Sequence, residues 1–125
     1  MPAAGYLTTH GATAILNQTA HPAVLYARGH LGNPGPDALL NDAAESRRVS
    51  VTLGTAAAGA VTNVGTATIS LAGATEDWTH LSLWDASSVG NPWWIVELPA
   101  PLSITAGETI GFAAGALALS FELWS

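Results

Sequence analysis

The chain has 125 residues, enough for one domain with a buried core, and it contains no cysteine, which excludes disulfides and thiolate metal sites. Its charged residues are three arginines and nine acids, and the net charge of −6 argues against nucleic acid, because phosphate binding needs clustered Lys and Arg. Hydrophobic residues make up 49% of the chain, but the longest weakly apolar stretch, residues 109–121, is too short to cross a membrane. A surface with so little charge favours assembly, since neutral groups cost little to desolvate.

The N-terminal segment, residues 1–22, is predicted to be helical. Apolar residues recur at helical spacing from Tyr6 to Ile15, and the helix must end before His21, because Pro22 disfavours helical geometry at the preceding residue. Residues 23–47 are predicted to form a short strand at 24–27 and then a long loop, in which the string GHLGNPGPD is dense in turn-forming residues.

Residues 48–125 are predicted to form an antiparallel β-sandwich. From Arg48 onward, apolar and polar residues alternate with a period of two in three segments, residues 49–53, 67–71 and 117–123. Further strand-like stretches lie at residues 78–84, 93–98, 102–104 and 109–112, with Gly and Pro residues such as Pro99 and Pro101 between them. The sequence thus predicts a single, mainly β domain, a β-sandwich or jelly-roll-like fold with one short N-terminal helix.

The tryptophans mark a candidate contact surface. Alternation in the segment WTHLSLW places two tryptophans and a histidine opposite two leucines, and the segment WWIV is apolar on both faces in the same way. Such strands must be covered either by the N-terminal helix or by a neighbouring subunit. Because tryptophan is enriched at interface hot spots, the candidate interface or ligand-contact residues are Trp78, His80, Trp84, Trp93, Trp94 and Trp124. Burial in the core is the alternative for each of them.

The sequence contains no recognisable catalytic, cofactor or metal constellation. There is no GxSxG turn, and the four histidines lack the spacing that places two imidazoles on one metal. Asp85 follows a strand and precedes a glycine-containing turn, so we expect it to cap that turn by accepting backbone N–H bonds. We therefore expect a protein that is not an enzyme and carries no cofactor or metal, although a hydrolase built on Asp85 and His80 remains a third alternative.

Three strings resemble those of small proteins of tailed-bacteriophage particles: AHPAVLYAR at residues 20–28, HLSLWDA at 80–86 and ITAGETIGFAAGAL at 104–117. Proteins described as tail fibre-like, minor tail or virion structural proteins share these hydrophobic and turn patterns, although Ser82 stands where the pattern often has glycine. The resemblance covers nearly the whole chain. It implies a β-rich fold, a virion location and a symmetric oligomer, and it carries no catalytic residues.

We therefore expect a virion structural protein that is assembled in the host cytoplasm and binds other virion proteins, either major capsid or tail proteins. It is also expected to form a homo-oligomer, for which a trimer is favoured. The first interpretation is a capsid decoration or cement protein, because a compact domain without a fibrous extension suits reinforcement of capsid contacts. The alternative is a minor tail or tail-fibre component that binds carbohydrate for host attachment, with exposed tryptophans stacking on sugar rings and Asp85 or Asn91 binding hydroxyls.

Overall fold

A computed structural model describes residues 3–16, 24–54, 60–64, 67–69, 72–112 and 117–123. Within these ranges the chain forms nine strands and one helix: β1 Ala3–Leu7, α1 Thr9–Leu16, β2 Val24–His30, β3 Val49–Thr52, β4 Ala60–Thr62, β5 Ala67–Ile69, β6 Glu76–Trp84, β7 Pro92–Ile104, β8 Ile110–Phe112 and β9 Leu117–Leu123. The prediction of a mainly β fold with one short helix is confirmed. None of the described helical residues form a segment with the length and apolar character needed to cross a membrane.

Seven strands form one sheet in the order β3-β2-β6-β7-β1-β9-β4, and β5 pairs with β8 in a second, two-stranded sheet. The pairings are antiparallel, as predicted, except that β1 and β9 run parallel. The more specific sandwich or jelly-roll description of this β fold remains a prediction.

The N-terminal segment differs from its prediction, because a strand precedes the helix. Tyr6 and Leu7, which were expected in the helix, belong to β1 and pair with Ile95 and Trp94 of β7. Two neighbouring strands offer β1 backbone partners on both sides, and this tertiary pairing outweighs a weak helical pattern interrupted by glycine. The helix begins after Thr8, whose hydroxyl accepts the backbone N–H of Gly11 at 3.0 Å, the usual N-cap interaction.

Strand β7 is a second difference, since it runs through the two prolines that were expected to separate two strands. Its pairing with β6 is interrupted there: Trp78 lies opposite Leu102, whereas His80 lies opposite Glu97. Residues 98–101 thus bulge out opposite a single residue of β6. Proline has no backbone N–H to donate, and a bulge is where a sheet tolerates it.

One buried row of side chains crosses five strands and fixes their register. Each residue of the row lies directly opposite the next in the order Val49, Ala27, Leu83, Trp94 and Leu7. All five are at most 3% exposed. The same hydrophobic cluster includes Ile110 and Phe112 of β8, so the two-stranded sheet contributes to this core.

The opposite face of β6 and β7 is covered by helix α1 and by the loop of residues 31–42. The His10 ring packs edge-on against Trp93 with centroids 5.4 Å apart, and the backbone N–H of Thr8 donates to the carbonyl of Trp93 at 2.8 Å. The N–H of Thr9 reaches the carbonyl of Pro36 at 3.1 Å and so joins the helix to the loop. The sequence allowed either the N-terminal helix or a neighbouring subunit to cover these strands. In the structure, the N-terminal helix covers this face together with the loop.

Gly29 gives a test of the core packing. A Cβ atom at this position would lie within the indole of Trp78, which is wholly buried. We expect Gly29→Ala to lower the free energy of unfolding by about 3 kcal/mol, because a packed core cannot yield to an added methyl group. Urea unfolding followed by tryptophan fluorescence measures the change. Gly32→Ala is the control, since its Cβ would meet only the Asn41 side chain at 3.2 Å or more. Equal stabilities for the two variants would contradict this packing.

Candidate functional site

The structure separates the sequence-predicted contact residues into buried and accessible groups. Trp78, Trp93 and Trp94 are at most 3% exposed, whereas His80 and Trp84 are half-buried. Trp124 lies outside the described residues. The three buried indoles are core side chains of this chain, so the accessible candidates in the described ranges are His80 and Trp84. A contact role for those two stays a prediction.

Irregular pairing explains why strict alternation misplaced Trp78. The register of β6 against β7 shifts between Trp78 and His80, and again between Leu83 and Trp84. Trp78 therefore joins the same hydrophobic cluster as Leu81 and Leu83, although an unbroken strand would place it on the other face. A bulge depends on partner strands, so no pattern within β6 alone could reveal it.

The accessible surface around Trp84 consists of two arginines and two aromatic residues. It is here called the arginine face, and its members are Tyr26, Arg28, Arg48 and Trp84. Tyr26 lies directly opposite Trp84 in the pairing of β2 with β6. Ala27 lies opposite Val49 in the pairing of β2 with β3. Arg28 follows Ala27 and Arg48 precedes Val49, and the charge of Arg28 acts on Arg48. All four residues are half-buried.

Arg48 ties the hairpin between β6 and β7 to the sheet. Its Nη1 donates to the carbonyls of Ala86 and Val89, both at 2.7 Å, and its guanidinium carbon lies 4.2 Å from the centre of the Trp84 ring. Burial and the positive charge of Arg28 lower the pKa of Arg48, while Asp85 acts in the opposite direction. Sequence analysis assigned no role to Arg48, because the groups that it contacts lie in a distant hairpin and leave no local signal.

The hairpin turn itself is closed by Asp85, as predicted. Its carboxylate accepts the backbone N–H of Asn91 at 2.8 Å, and its own N–H donates to the carbonyl of Asn91 at 3.0 Å. Val89 in this turn has a φ of 58° and is 82% exposed. A β-branched residue rarely adopts positive φ, because its side chain crowds the backbone there.

A buried chain of hydrogen bonds links the arginine face to the covering loop. The Trp84 Nε1–H donates to the Ser82 hydroxyl at 2.7 Å, and that oxygen lies 2.7 Å from Nε2 of His30. Nδ1 of His30 lies 3.0 Å from the carbonyl of Leu40. A carbonyl can only accept, so Nδ1 carries the proton and Nε2 accepts from Ser82. Ser82, which stands where the phage pattern often has glycine, is thus the bridge between sheet and loop.

The covering loop holds a fixed shape and presents leucines to solvent. The N–H of Leu31 donates to the carbonyl of Asn41 at 2.8 Å, and the Asn41 side chain donates to the carbonyl of Asn33 at 2.7 Å. Within this loop, the side chains of Leu39 and Leu40 face solvent, and these residues are 72% and 60% exposed. The loop therefore presents an apolar surface, and hydrogen bonds hold its backbone in place.

The chemistry of these groups is structural. Among the described residues no three His, Cys, Asp or Glu side chains come together as a metal site. The half-buried His80 has its Nδ1 at 2.8 Å from the Thr79 hydroxyl, and its strand partner is Glu97. The polar side chains described above hold a hairpin and a loop in place.

A family model described as "Podophage GP4 fiber I protein gp80" matches residues 3–120. The chain belongs to this family, which is a tail fibre-like family of tailed-phage virion proteins. The resemblance inferred from the sequence is thereby confirmed, and the protein is virion-associated and acts together with other virion components. No curated protein matches the chain.

The buried histidine gives a pH prediction. Burial lowers the pKa of His30, outweighing its bond to the carbonyl of Leu40 and the charge of Asp42, while Arg28 and His80 lower it further. Burial also lowers the pKa of His80. As the pH falls through about 6.5, the unfolded chain therefore takes up protons before the folded one, and the free energy of unfolding decreases. For the buried His30, the loss amounts to about 1.4 kcal/mol for each unit by which folding lowers its pKa. The more exposed His80 contributes less, because solvent screens its charge.

Urea unfolding between about pH 8 and pH 5 measures this effect. We expect His30→Gln to be less stable than the wild type above pH 7 and to have a flatter profile, with the remaining slope removed by adding His80→Gln. An unchanged slope in His30→Gln would show that His30 does not control this dependence.

The strained hairpin residue gives a stability prediction in the opposite direction. Asparagine tolerates positive φ better than valine, and the Val89 side chain is largely exposed. Val89→Asn should therefore raise the free energy of unfolding by about 1 kcal/mol, measured by urea or thermal unfolding. Val64→Asn is the control, because Val64 is also exposed, at 51%, and its φ is not positive. If both substitutions had the same effect, relief of backbone strain would not be the cause.

Proposed function

We propose that the protein is a non-enzymatic component of a tail fibre of a podophage-like particle. The observation that carries this proposal is the match to a fibre protein family over residues 3–120, most of the chain. Of the two virion locations considered from the sequence, that description favours the tail fibre over capsid decoration. Assembly of the fibre in the host cytoplasm belongs to the same proposal.

The surface of the molecule supports a role in assembly. The sheet ends in short strands in the described part of the chain, four residues in β3 and three in β4, which offer little edge for pairing with another chain. Contacts with other virion proteins are therefore made by side chains. The exposed Leu39 and Leu40 on their fixed loop are apolar groups that such a contact would bury.

A homo-oligomer is part of the proposal, with a trimer as the form to test first. A surface with few charges can be buried repeatedly without a large desolvation cost.

Quantitative mass spectrometry of purified virions tests the location. A fibre component is expected at a small fixed copy number relative to the major capsid protein, and antibody labelling in electron micrographs should lie at the tail. Copy numbers comparable to the capsid protein, with labelling over the head, would overturn the fibre proposal in favour of capsid decoration. Absence from the particle would overturn both locations.

A further inference from the structure

The covering loop of residues 31–42 is built so that it can move as one body. The backbone N–H groups of Leu39 and Leu40 both donate to the carbonyl of Pro34 at 3.1 Å, so the loop keeps its shape through bonds within itself. Its buried residues, Pro34 and Ala38, have small side chains, and lifting them from the sheet exposes little apolar surface. Ala38 also has a φ of 57°, a left-handed conformation that persists only where surrounding contacts hold it.

His30 is the buried point at which the covering loop is attached to the sheet. Its ring is wholly buried, with Nδ1 3.0 Å from the carbonyl of Leu40 in the loop and Nε2 2.7 Å from the hydroxyl of Ser82 in β6. A second attachment is the bond from the N–H of Thr9 to the carbonyl of Pro36 at 3.1 Å. The state of the His30 ring therefore bears directly on whether the loop stays in place.

A neutral His30 satisfies each partner in this arrangement, and a protonated one does not. Nδ1–H donates to the Leu40 carbonyl, and Nε2 accepts the hydroxyl proton of Ser82, whose oxygen accepts the indole N–H of Trp84. A proton on Nε2 would turn this nitrogen into a donor. The Ser82 oxygen would then face two donors, and its own proton would lose its acceptor at a wholly buried position, which costs free energy.

The charged groups around His30 add to this cost. Arg28 lies two positions before it on β2, and His80 lies directly opposite it on β6. Asp42 of the loop acts in the other direction, because its carboxylate lies 3.4 Å from Nδ1, but it is shared with Arg28 at 3.6 Å. Glu97 of β7 lies opposite His80 and acts on that ring. Burial is the largest cause, and together with Arg28 and His80 it lowers the pKa of His30.

We propose that the covering loop is a lid that neutral His30 holds closed, and that the lid opens when His30 takes up a proton in mildly acidic solution. Opening lets water solvate the imidazolium and gives the Ser82 hydroxyl new partners. The sheet stays folded, because its buried row lies on the opposite face. The exposed Leu39 and Leu40 move with the lid, so acid changes the surface that the protein offers to its partners. This device goes beyond the fibre role proposed above and does not depend on it.

Distances between pairs of spin labels test the lid, and labelling is specific because the chain contains no cysteine. One pair is attached to Leu39→Cys in the lid and Ser50→Cys in β3, and a control pair to Ser50→Cys and Val64→Cys, all at exposed positions. Below about pH 6.5 we expect a second, longer lid distance, whose ratio to the first rises by up to about tenfold per pH unit, because opening takes up one proton. The control distance should not change.

Three substitutions identify the group that responds to pH. His30→Gln should give the same lid distances at about pH 7.5 and about pH 5, because the group that titrates is gone. His80→Gln should keep the response, since that ring is not bonded to the lid. Asp42→Asn should leave the lid closed at neutral pH and open it further in acid, because it removes the carboxylate that faces the protonated ring.

The proposal is overturned if the lid distance stays single down to about pH 5 while the control distance shows a folded sheet. It is also overturned if both distances change together, because acid would then unfold the whole molecule. A response that persists in His30→Gln, or a lid that is already open at neutral pH in Asp42→Asn, would assign the pH dependence to another group. None of these results bears on the location in the virion, which mass spectrometry decides separately.

Discussion

The buried row that crosses five strands is the constraint on which the other features depend. Side chains of a strand alternate between two faces, so fixing Ala27, Leu83 and Trp94 in the core assigns their neighbours to the opposite side. Arg28 and Ser82 thereby become partners across the strand pair, and Ile95 lies beside Ser82. A slip of one residue would bury the arginine and expose the leucine. The register of the core thus determines the position of every polar group in the candidate site.

The hairpin of β6 and β7 is buried on both faces, so its second face also needs a cover. Ser82 and Ile95 are fully buried although they point away from the main core. Helix α1 and the loop of residues 31–42 supply the cover, and the cover includes polar groups that need partners. His30 satisfies the carbonyl of Leu40 and the hydroxyl of Ser82 together, so sheet and loop are joined by a chain of bonds in which each donor has an acceptor.

A carboxylate has the corresponding role at the other side of the sheet. Glu76 accepts the N–H groups of Ala44 and Glu45 at 3.0 and 3.1 Å, and that of the Trp78 indole at 3.1 Å. Burial raises the pKa of Glu76, but these three hydrogen bonds outweigh it and hold the pKa below its usual value. The loop that leads into β3 is therefore attached to β6 near the wholly buried Trp78. Side-chain hydrogen bonds of this kind attach a loop to the sheet without disulfides, which the chain cannot form because it has no cysteine.

The sequence by itself determined the fold class and the family. A period of two identified the strands around Val51, Ile69 and Phe121, since alternation is a local property of a half-buried strand. The phage-like strings at residues 20–28, 80–86 and 104–117 indicated the virion class that the family match confirms. Only the tertiary structure decided the strand at Ala3–Leu7, its parallel pairing with β9, and the bulges around Trp78 and the prolines of β7. The same is true of the arginine face. These features depend on which strands become neighbours and in what register, and hydrogen bonds between distant segments leave no periodic trace in either segment alone.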